Sequence, residues 1–335
     1  MDRNYNELVD IIKNKYKVDK VYSYSQIKLF NDDPYEYMLK YINKVDPDKE
    51  TKSPYGLIGG LVHDILEKFH KNEIKRSDCK SIFNDNFTKI MNDEKSGVFS
   101  EDPGQNRSIS TNLIIDIGDY FSRVDKLSGK ILCEEPIYCL LENQNGRHAF
   151  LGYIDFLNFN NGKIKIIDYK TSTMYKESDI HKYADQLMIY AEAVKQRYNV
   201  DYDSIEIGWN FLKYAKLINK IDLSEEIVER KNLKDYNLND YLITDCIINI
   251  KFNEQTEEDF ITRIISNVNN IEHKTKKYLS TGDDSIFSWE VTQKDLFRLN
   301  NFCNYTEKLH KPLAEFLNIN KNSRTYNIME NRYYG

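Results

Sequence analysis

Apolar residues at Ile58, Leu61, Val62, Ile65, Leu66 and Phe69 recur at i, i+3, i+4 and i+7, and predict a helix over 56–71. Further on the period changes. Phe150-Leu151-Gly152-Tyr153-Ile154-Asp155-Phe156-Leu157 reads as one apolar strand and Ile164-Lys165-Ile166-Ile167-Asp168-Tyr169-Lys170 as the next. Between them lies Asn161-Gly162, the dipeptide most favoured in two-residue type I′ turns, where both central residues need positive φ. Upstream, 22–43 reads as two short helices. Ser23 or Ser25 is the cap of the first, and Asp33-Pro34 the cap and first helical residue of the second. Residues 75–130 read as helical and polar, broken near Asp102-Pro103-Gly104. A strand near 131–141, a helix over 179–198, strands at 204–213, 216–222 and 241–252, and helices near 256–280 and 292–316 complete the pattern. The expected fold is one α/β domain with helical additions.

The predicted hairpin carries the chemistry. With Asn161-Gly162 as the turn, Asn160 pairs with Lys163 and Asp155 falls directly opposite Asp168. Opposed residues share a sheet face with Cβ atoms roughly 5 Å apart, and like charges there are destabilising. Lys170, two residues beyond Asp168, projects from the same face. Tyr153, Leu157, Ile164 and Ile166 share it too, so the acids do not belong to a solvated edge. Buried charges need a partner or a metal, and two carboxylates with nearby oxygen donors suit a hard divalent cation. The bland alternative is an edge hairpin with solvated charges, and a three-residue loop would put the aspartates on opposite faces.

Groups on two helices bear on this hairpin. His63 lies beside the apolar stripe of its helix, with Glu67 one turn later and Gly59 one turn earlier. Gly59 and Gly60 each cost about 1 kcal/mol in helix propensity, a cost that close approach of backbone or substrate would explain. Alone, His63 reads more readily as a satisfied, partly buried histidine, and Glu67 equally as an exposed helix carboxylate. Beside the hairpin, imidazole can complete a mixed N/O site for Mn²⁺ or Mg²⁺. On the later helix Gln186 and Tyr190 stand at i, i+4, with Tyr183 one turn before. Gln186 is either a hydrogen-bonded core residue or a group that orients the lysine or a phosphate.

Composition narrows the classes. The chain has 335 residues, 40% hydrophobic and 30% charged, as in an ordinary globular protein. No apolar run approaches the roughly 20 residues of a bilayer span, and the start lacks a signal-peptide pattern. Cys79, Cys133, Cys139, Cys246 and Cys303 include no CxxC pair, so neither a disulfide framework nor a structural zinc is expected. A cytoplasmic location fits best. The net charge of −6 gives nucleic-acid binding no global support, though a local basic groove remains compatible with it. The candidate patches, Lys274 with Lys276 and Lys277, and Lys68 with Lys71, Lys75 and Arg76, read as solvated helix ends.

Taken together, Gly59-…-His63-…-Glu67, Gly152-Tyr153-Ile154-Asp155, Asp168-Tyr169-Lys170 and Gln186-…-Tyr190 resemble the RecB-like exonuclease branch of the PD-(D/E)XK nuclease superfamily. Its pattern is GxxxHxxxE on a helix, G-x-x-D on a strand, (D/E)-x-K on the next and Q-x-x-x-Y on a helix. Tyr22-Ser23-Tyr24-Ser25 leading to Asp33-Pro34-Tyr35-Glu36-Tyr37 resembles the family's N-terminal segment. The match covers roughly 22–70 and 131–213. It implies a restriction-endonuclease-like α/β core with a central mixed β-sheet flanked by helices. It also implies one nuclease domain over 1–335, a helical insertion at 71–130, and a C-terminal extension at 223–335 packing on the N-terminal segment.

The resemblance further implies phosphodiester hydrolysis on DNA ends or single strands, in recombination, repair or phage DNA processing. His63, Asp155, Asp168 and the Tyr169 carbonyl would hold one or two Mg²⁺ or Mn²⁺ ions. Lys170, Asp155, Asp168, Gln186, Tyr190 and Glu67 would form the catalytic set, with burial and the metal lowering the pKa of Lys170. Helices of the 71–130 segment would roof a single-strand channel, with some of the 25 tyrosines stacking on bases. A helicase, recombinase or single-strand-binding protein is the expected partner, with no membrane. Many relatives hold an iron–sulfur cluster through one N-terminal and three C-terminal cysteines. Here Asp33 replaces the first, and in Phe302-Cys303-Asn304-Tyr305-Thr306 Thr306 replaces another. Such clusters normally need four thiolates, so none is expected. A catalytically silent DNA-binding or scaffold protein is the alternative. A glycosidase using Asp155 and Asp168 leaves His63 and Lys170 without a role.

Overall fold

In the computed structural model Asn161 and Gly162 take φ of 48° and 76°, and Asn160 pairs with Lys163, as the dipeptide predicts. The structure describes residues 5–176, 180–251 and 254–319, without the side chains of residues 181, 182, 254 and 255. The chain divides into two compact units. One comprises Met1–Tyr24, Ile58–Lys89 and Ser108–Ile265, the other Ser25–Leu57, Ile90–Arg107 and Ser266–Gly335.

Seven strands form one mixed sheet: β1 (Val21–Tyr22), β2 (Lys130–Asn143), β3 (Gly146–Asn160), β4 (Lys163–Lys170), β5 (Ile205–Asn219), β6 (Glu225–Glu229) and β7 (Tyr241–Ile250). Their order is β1-β3-β4-β5-β6, with β2 on β3 and β7 on β5. The β1–β3 and β4–β5 pairs are parallel and the others antiparallel. Strands buried on both faces read as near-continuous apolar runs. Accordingly Ile154, Phe156, Leu157 and Ile166 are completely buried.

The helices are α1 (Tyr5–Tyr16), α2 (Tyr24–Asp32), α3 (Pro34–Tyr37), α4 (Pro54–His70), α5 (Arg76–Met91), α6 (Pro103–Arg123), α7 (Ile180–Tyr183), α8 (Asp185–Tyr198), α9 (Glu254–Thr281), α10 (Leu296–Asn301) and α11 (Lys311–Ile319). The stripe of α4 is buried at Ile58, Val62, Ile65, Leu66 and Phe69. Asp33 caps α3, accepting from the Glu36 N–H at 2.9 Å, with Pro34 in the first turn. Asp102 accepts from the Gln105 N–H at 2.6 Å where α6 begins at Pro103. Within the first unit α1 packs Leu8 and Ile12 on Ala149 and Leu151, and α8 lies against β2, β4 and β5.

Several boundaries differ from the expected ones. The strands expected at 204–213 and 216–222 are one strand, β5, whose pairing to β7 shifts between Asn210 and Ala215. An irregularity in the ladder, not a turn, separates its halves. β6 supplies an unexpected strand in 225–229, and α1 an unexpected helix at 5–16. The helix expected over 292–316 is α10 and α11 with an irregular connection between them. Polar side chains there bond to backbone: Asp48 accepts from both the N–H and the hydroxyl of Thr306, at 2.7 and 2.5 Å. The expected helix start at 179 and strand end at 252 lie outside the described residues.

Candidate active site

The β3–β4 ladder runs from Asn160–Lys163 to Phe156–Ile167 in unbroken register, which brings Asp155 and Asp168 to the next positions. There the regular ladder stops. The Tyr169 N–H instead donates to Asp155 Oδ2 at 3.3 Å, so the carboxylate takes the place of a backbone acceptor. Leu157, Ile164 and Ile166 are buried, whereas Tyr153 is 38% exposed.

His63 enters from α4. Its Nε2–H donates to the Tyr169 carbonyl at 3.1 Å, and its Nδ1 lies 3.5 Å from Asp155 Oδ2. Burial pushes the imidazole down. The Asp155 hydrogen bond and the charges of Asp155 and Asp168 outweigh it and raise the pKa to about 8. Asp168 is almost fully buried. Burial raises its carboxyl to about 6 against the pull of Lys170, and the Asp155 charge adds to the rise. Lys170 Nζ lies 2.5 Å from Asp168 Oδ2, yet that oxygen makes no well-aligned hydrogen bond. The contact is an ion pair with lone pairs to spare. The expected lowering of the Lys170 pKa is reversed among these protein groups: burial lowers it, but Asp168 more than offsets that and the pKa rises.

α8 brings the supporting pair. Gln186 Nε2 donates to Tyr190 Oη at 3.1 Å, and Tyr183 stacks on Tyr175 with ring centroids 4.2 Å apart. A Cβ at Gly152 would lie 2.6 Å from Tyr190 Cε1, so the glycine three residues before Asp155 makes room for the tyrosine of the later helix. Among the described residues no backbone comes close to Gly59 or Gly60. A Cβ at Gly59 would meet the Thr171 hydroxyl at an ordinary 3.8 Å, and one at Gly60 would meet nothing within 4 Å. Glu67 pairs with Lys71 one turn on.

Sequence reasoning missed Glu134. Ligand atoms of His63, Glu134 and Asp155 all lie within 4.8 Å of one another. Partial burial, and then the charge of Asp155, push the Glu134 carboxyl up. Beside these groups a groove of about 1000 Å³ opens, lined by Glu67, Lys71, Cys133, Glu134, Tyr153 and Arg197 among others. One imidazole nitrogen and several carboxylate oxygens fit a hard divalent cation. Of the candidate basic residues, Lys68 pairs with Asp64, Lys71 with Glu67 and Arg76 with Asp125.

A second set of donors with the same spacing, Asp33, Cys303 and His310, belongs to the other unit. Asp33 accepts from Trp289 Nε1 at 3.0 Å, from His310 Nε2 at 2.9 Å and from Arg298. Burial alone would raise the Asp33 carboxyl, but His310 and Arg298 more than offset that and hold it below the usual range. His310 Nδ1 accepts the Leu313 N–H at 3.2 Å, so the ring proton is on Nε2, facing Asp33. Neither ring nitrogen has a lone pair left for a metal. Glu36, also buried, accepts from Arg298 at 3.2 Å and from the Asn304 backbone at 3.0 Å.

The profile of the PD-(D/E)XK nuclease superfamily matches residues 21–279. The chain is 24% identical over 326 residues to one subunit of an ATP-dependent helicase/deoxyribonuclease of Clostridium botulinum, an alignment covering 88% of this chain and 28% of that protein. The corresponding helicase/deoxyribonuclease protein of Clostridium tetani is 25% identical over 224 residues, or 58% of this chain and 19% of the relative. The chain thus spans under a third of the curated relatives it matches. A solved structure from Eubacterium rectale, designated a candidate exonuclease, is similar with a TM-score of 0.41 and 14% identity, covering 83% of this chain and 88% of that one. Among the described residues no helix is long and apolar enough to cross a membrane.

Proposed function

The chain belongs to the PD-(D/E)XK nuclease superfamily, and on that premise we propose that it is a divalent-cation-dependent deoxyribonuclease acting on DNA ends or single strands. One observation carries the reading. His63, Asp155, Asp168 and Lys170, drawn from α4, β3 and β4, converge in one unit beside a groove.

His63, Asp155, Asp168 and the Tyr169 carbonyl would hold Mg²⁺ or Mn²⁺. Such a cation neutralises phosphate charge and acidifies bound water. Lys170, fixed by Asp168, supplies a positive charge at the scissile phosphate and can orient the attacking water. Tyr190, hydrogen-bonded to Gln186 and seated over Gly152, limits how the strand can lie. Glu67, held by Lys71, is placed to act on the groove side. The names of the clostridial relatives support DNA as substrate and a helicase as partner.

The test is cleavage of end-labelled single- and double-stranded DNA, linear and circular, with Mg²⁺, Mn²⁺ or EDTA. Cutting in metal alone is expected, with Lys170→Ala about 10²–10³-fold slower, the size of losing one transition-state charge contact. Survival of circular substrates would mark an exonuclease. Retained DNA binding without cutting in any metal would favour a silent scaffold.

A further inference from the structure

This inference rests on the cation-site reading above. His70 closes α4 two turns beyond His63, so the two imidazoles lie on the same side of the helix, roughly 10 Å apart along its axis. Both reach one residue. His63 Nε2 meets the Tyr169 carbonyl at 3.1 Å, and His70 Nε2 meets the Tyr169 hydroxyl at 3.3 Å. The Tyr169 N–H goes to Asp155. Every polar group of Tyr169 is thus engaged, and the residue sits in the chain between Asp168 and Lys170.

His70 is a poor choice for packing alone. It is 8% exposed, and its ring lies 4.6 Å from that of Phe156 and 5.2 Å from that of Phe69. Its Nδ1 is buried without a hydrogen bond among the described residues, and a buried polar atom left unmet is costly. Phenylalanine would fill such an apolar setting without that cost. What the imidazole adds is the bond to Tyr169, itself buried and 5.9 Å from the same Phe156 ring. That bond is also the tether that lasts. His63 and the Tyr169 carbonyl are both assigned above to the cation, so their mutual contact changes when the cation binds. The bond between His70 and the hydroxyl involves neither ligand atom.

We infer that His70 is a positioning residue, which holds the Tyr169 hydroxyl and so fixes the Asp168–Lys170 segment of β4 against α4. Acting through Tyr169, it sets where the Tyr169 carbonyl, Asp168 and Lys170 stand relative to His63.

The experiment is calorimetric titration of the full chain with Mn²⁺ alone, with melting by circular dichroism in EDTA. The proteins are wild type, His70→Phe, His70→Gln, Tyr169→Phe, the His70→Phe/Tyr169→Phe double variant and Asp155→Asn. His70→Phe and Tyr169→Phe are each expected to weaken Mn²⁺ binding about fivefold, the size of one neutral hydrogen bond. The double variant is expected to lose no more than either single one, because both remove the same contact. His70→Gln, whose amide can reach the hydroxyl, is expected to bind within about twofold of wild type. His70→Phe is expected to melt at or above wild type in EDTA, which loss of a merely structural histidine would not produce. Wild-type affinity in Tyr169→Phe, with binding lost in Asp155→Asn, would overturn the role of His70 and leave the cation site standing. Losses that add in the double variant would overturn that role too. Failure of the wild type to bind Mn²⁺ would overturn both.

Discussion

On distance alone, His63–Glu134–Asp155 and Asp33–Cys303–His310 are the same object, three donors of metal-ligating type within 4.8 Å. They differ in what the protein has done with the lone pairs and charges. Around Asp33 the carboxylate is occupied by Arg298, Trp289 and His310, and both nitrogens of His310 are spoken for. Around Asp155, among the described residues, no arginine pairs with the acids. Glu134 is exposed with no protein partner there, and Asp168 faces Lys170. Proximity of donors therefore does not define a cation site. Donor atoms left open to a ligand do: Glu134 is exposed without a protein partner among the described residues, whereas Asp33 and His310 are buried with their lone pairs taken.

If that contrast is right, removing a partner has unequal consequences. Arg298→Met leaves Asp33 and Glu36 buried without their cation, and is expected to cost about 3–5 kcal/mol in urea unfolding, as breaking buried pairs does. A loss below about 1 kcal/mol would mean that His310 and Trp289 suffice. Next in size, Gly152→Ala drives a methyl into Tyr190 and is expected to destabilise by about 1–3 kcal/mol, the range for overpacking. It should also slow DNA cleavage, whereas Gly60→Ala, with open space around it, should leave cleavage as in wild type. Equal cleavage by both variants would break the link between Gly152 and the site.

The acid titrations run in opposite directions. Asp33 titrates below its usual value in the folded state, so its stabilisation is complete above about pH 4 and is lost as pH falls through the folded value. Wild type should lose urea stability more steeply than Asp33→Asn between about pH 5 and about pH 3. Glu134 titrates above its usual value, so ionising it as pH rises through that range takes stability away. The smallest expected effect follows from this. In metal-free buffer at neutral pH Glu134→Gln should be slightly more stable than wild type, within about 0.5 kcal/mol.

Much of the site was legible in the sequence because its geometry is local. Asn161-Gly162 sets the turn type, the turn sets the register, and the register sets Asp155 beside Asp168. The spacing of His63 and that of Gln186 and Tyr190 follow from single helices. Glu134 was not legible, for a physical reason. The neighbouring hairpin turns at Gln144-Asn145, with Asn143 paired to Gly146. Asn145-Gly146 offers the stronger turn dipeptide, and a turn there would have set Pro136 opposite Asp155. A left-handed glutamate also has no sequence signal. The Asp33 network was half visible: Asp33-Pro34 reads as a helix cap, but Arg298 and His310 reach it from more than 260 residues away. The break between α10 and α11 was hidden because apolar spacing continues through it.

The most direct test of the contrast is anomalous diffraction from crystals soaked in Mn²⁺. A manganese peak beside His63, Asp155 and Asp168, with none at Asp33, Cys303 and His310, is the expected result. A peak beside Asp33, or a soaked crystal with none near Asp155, would contradict the account.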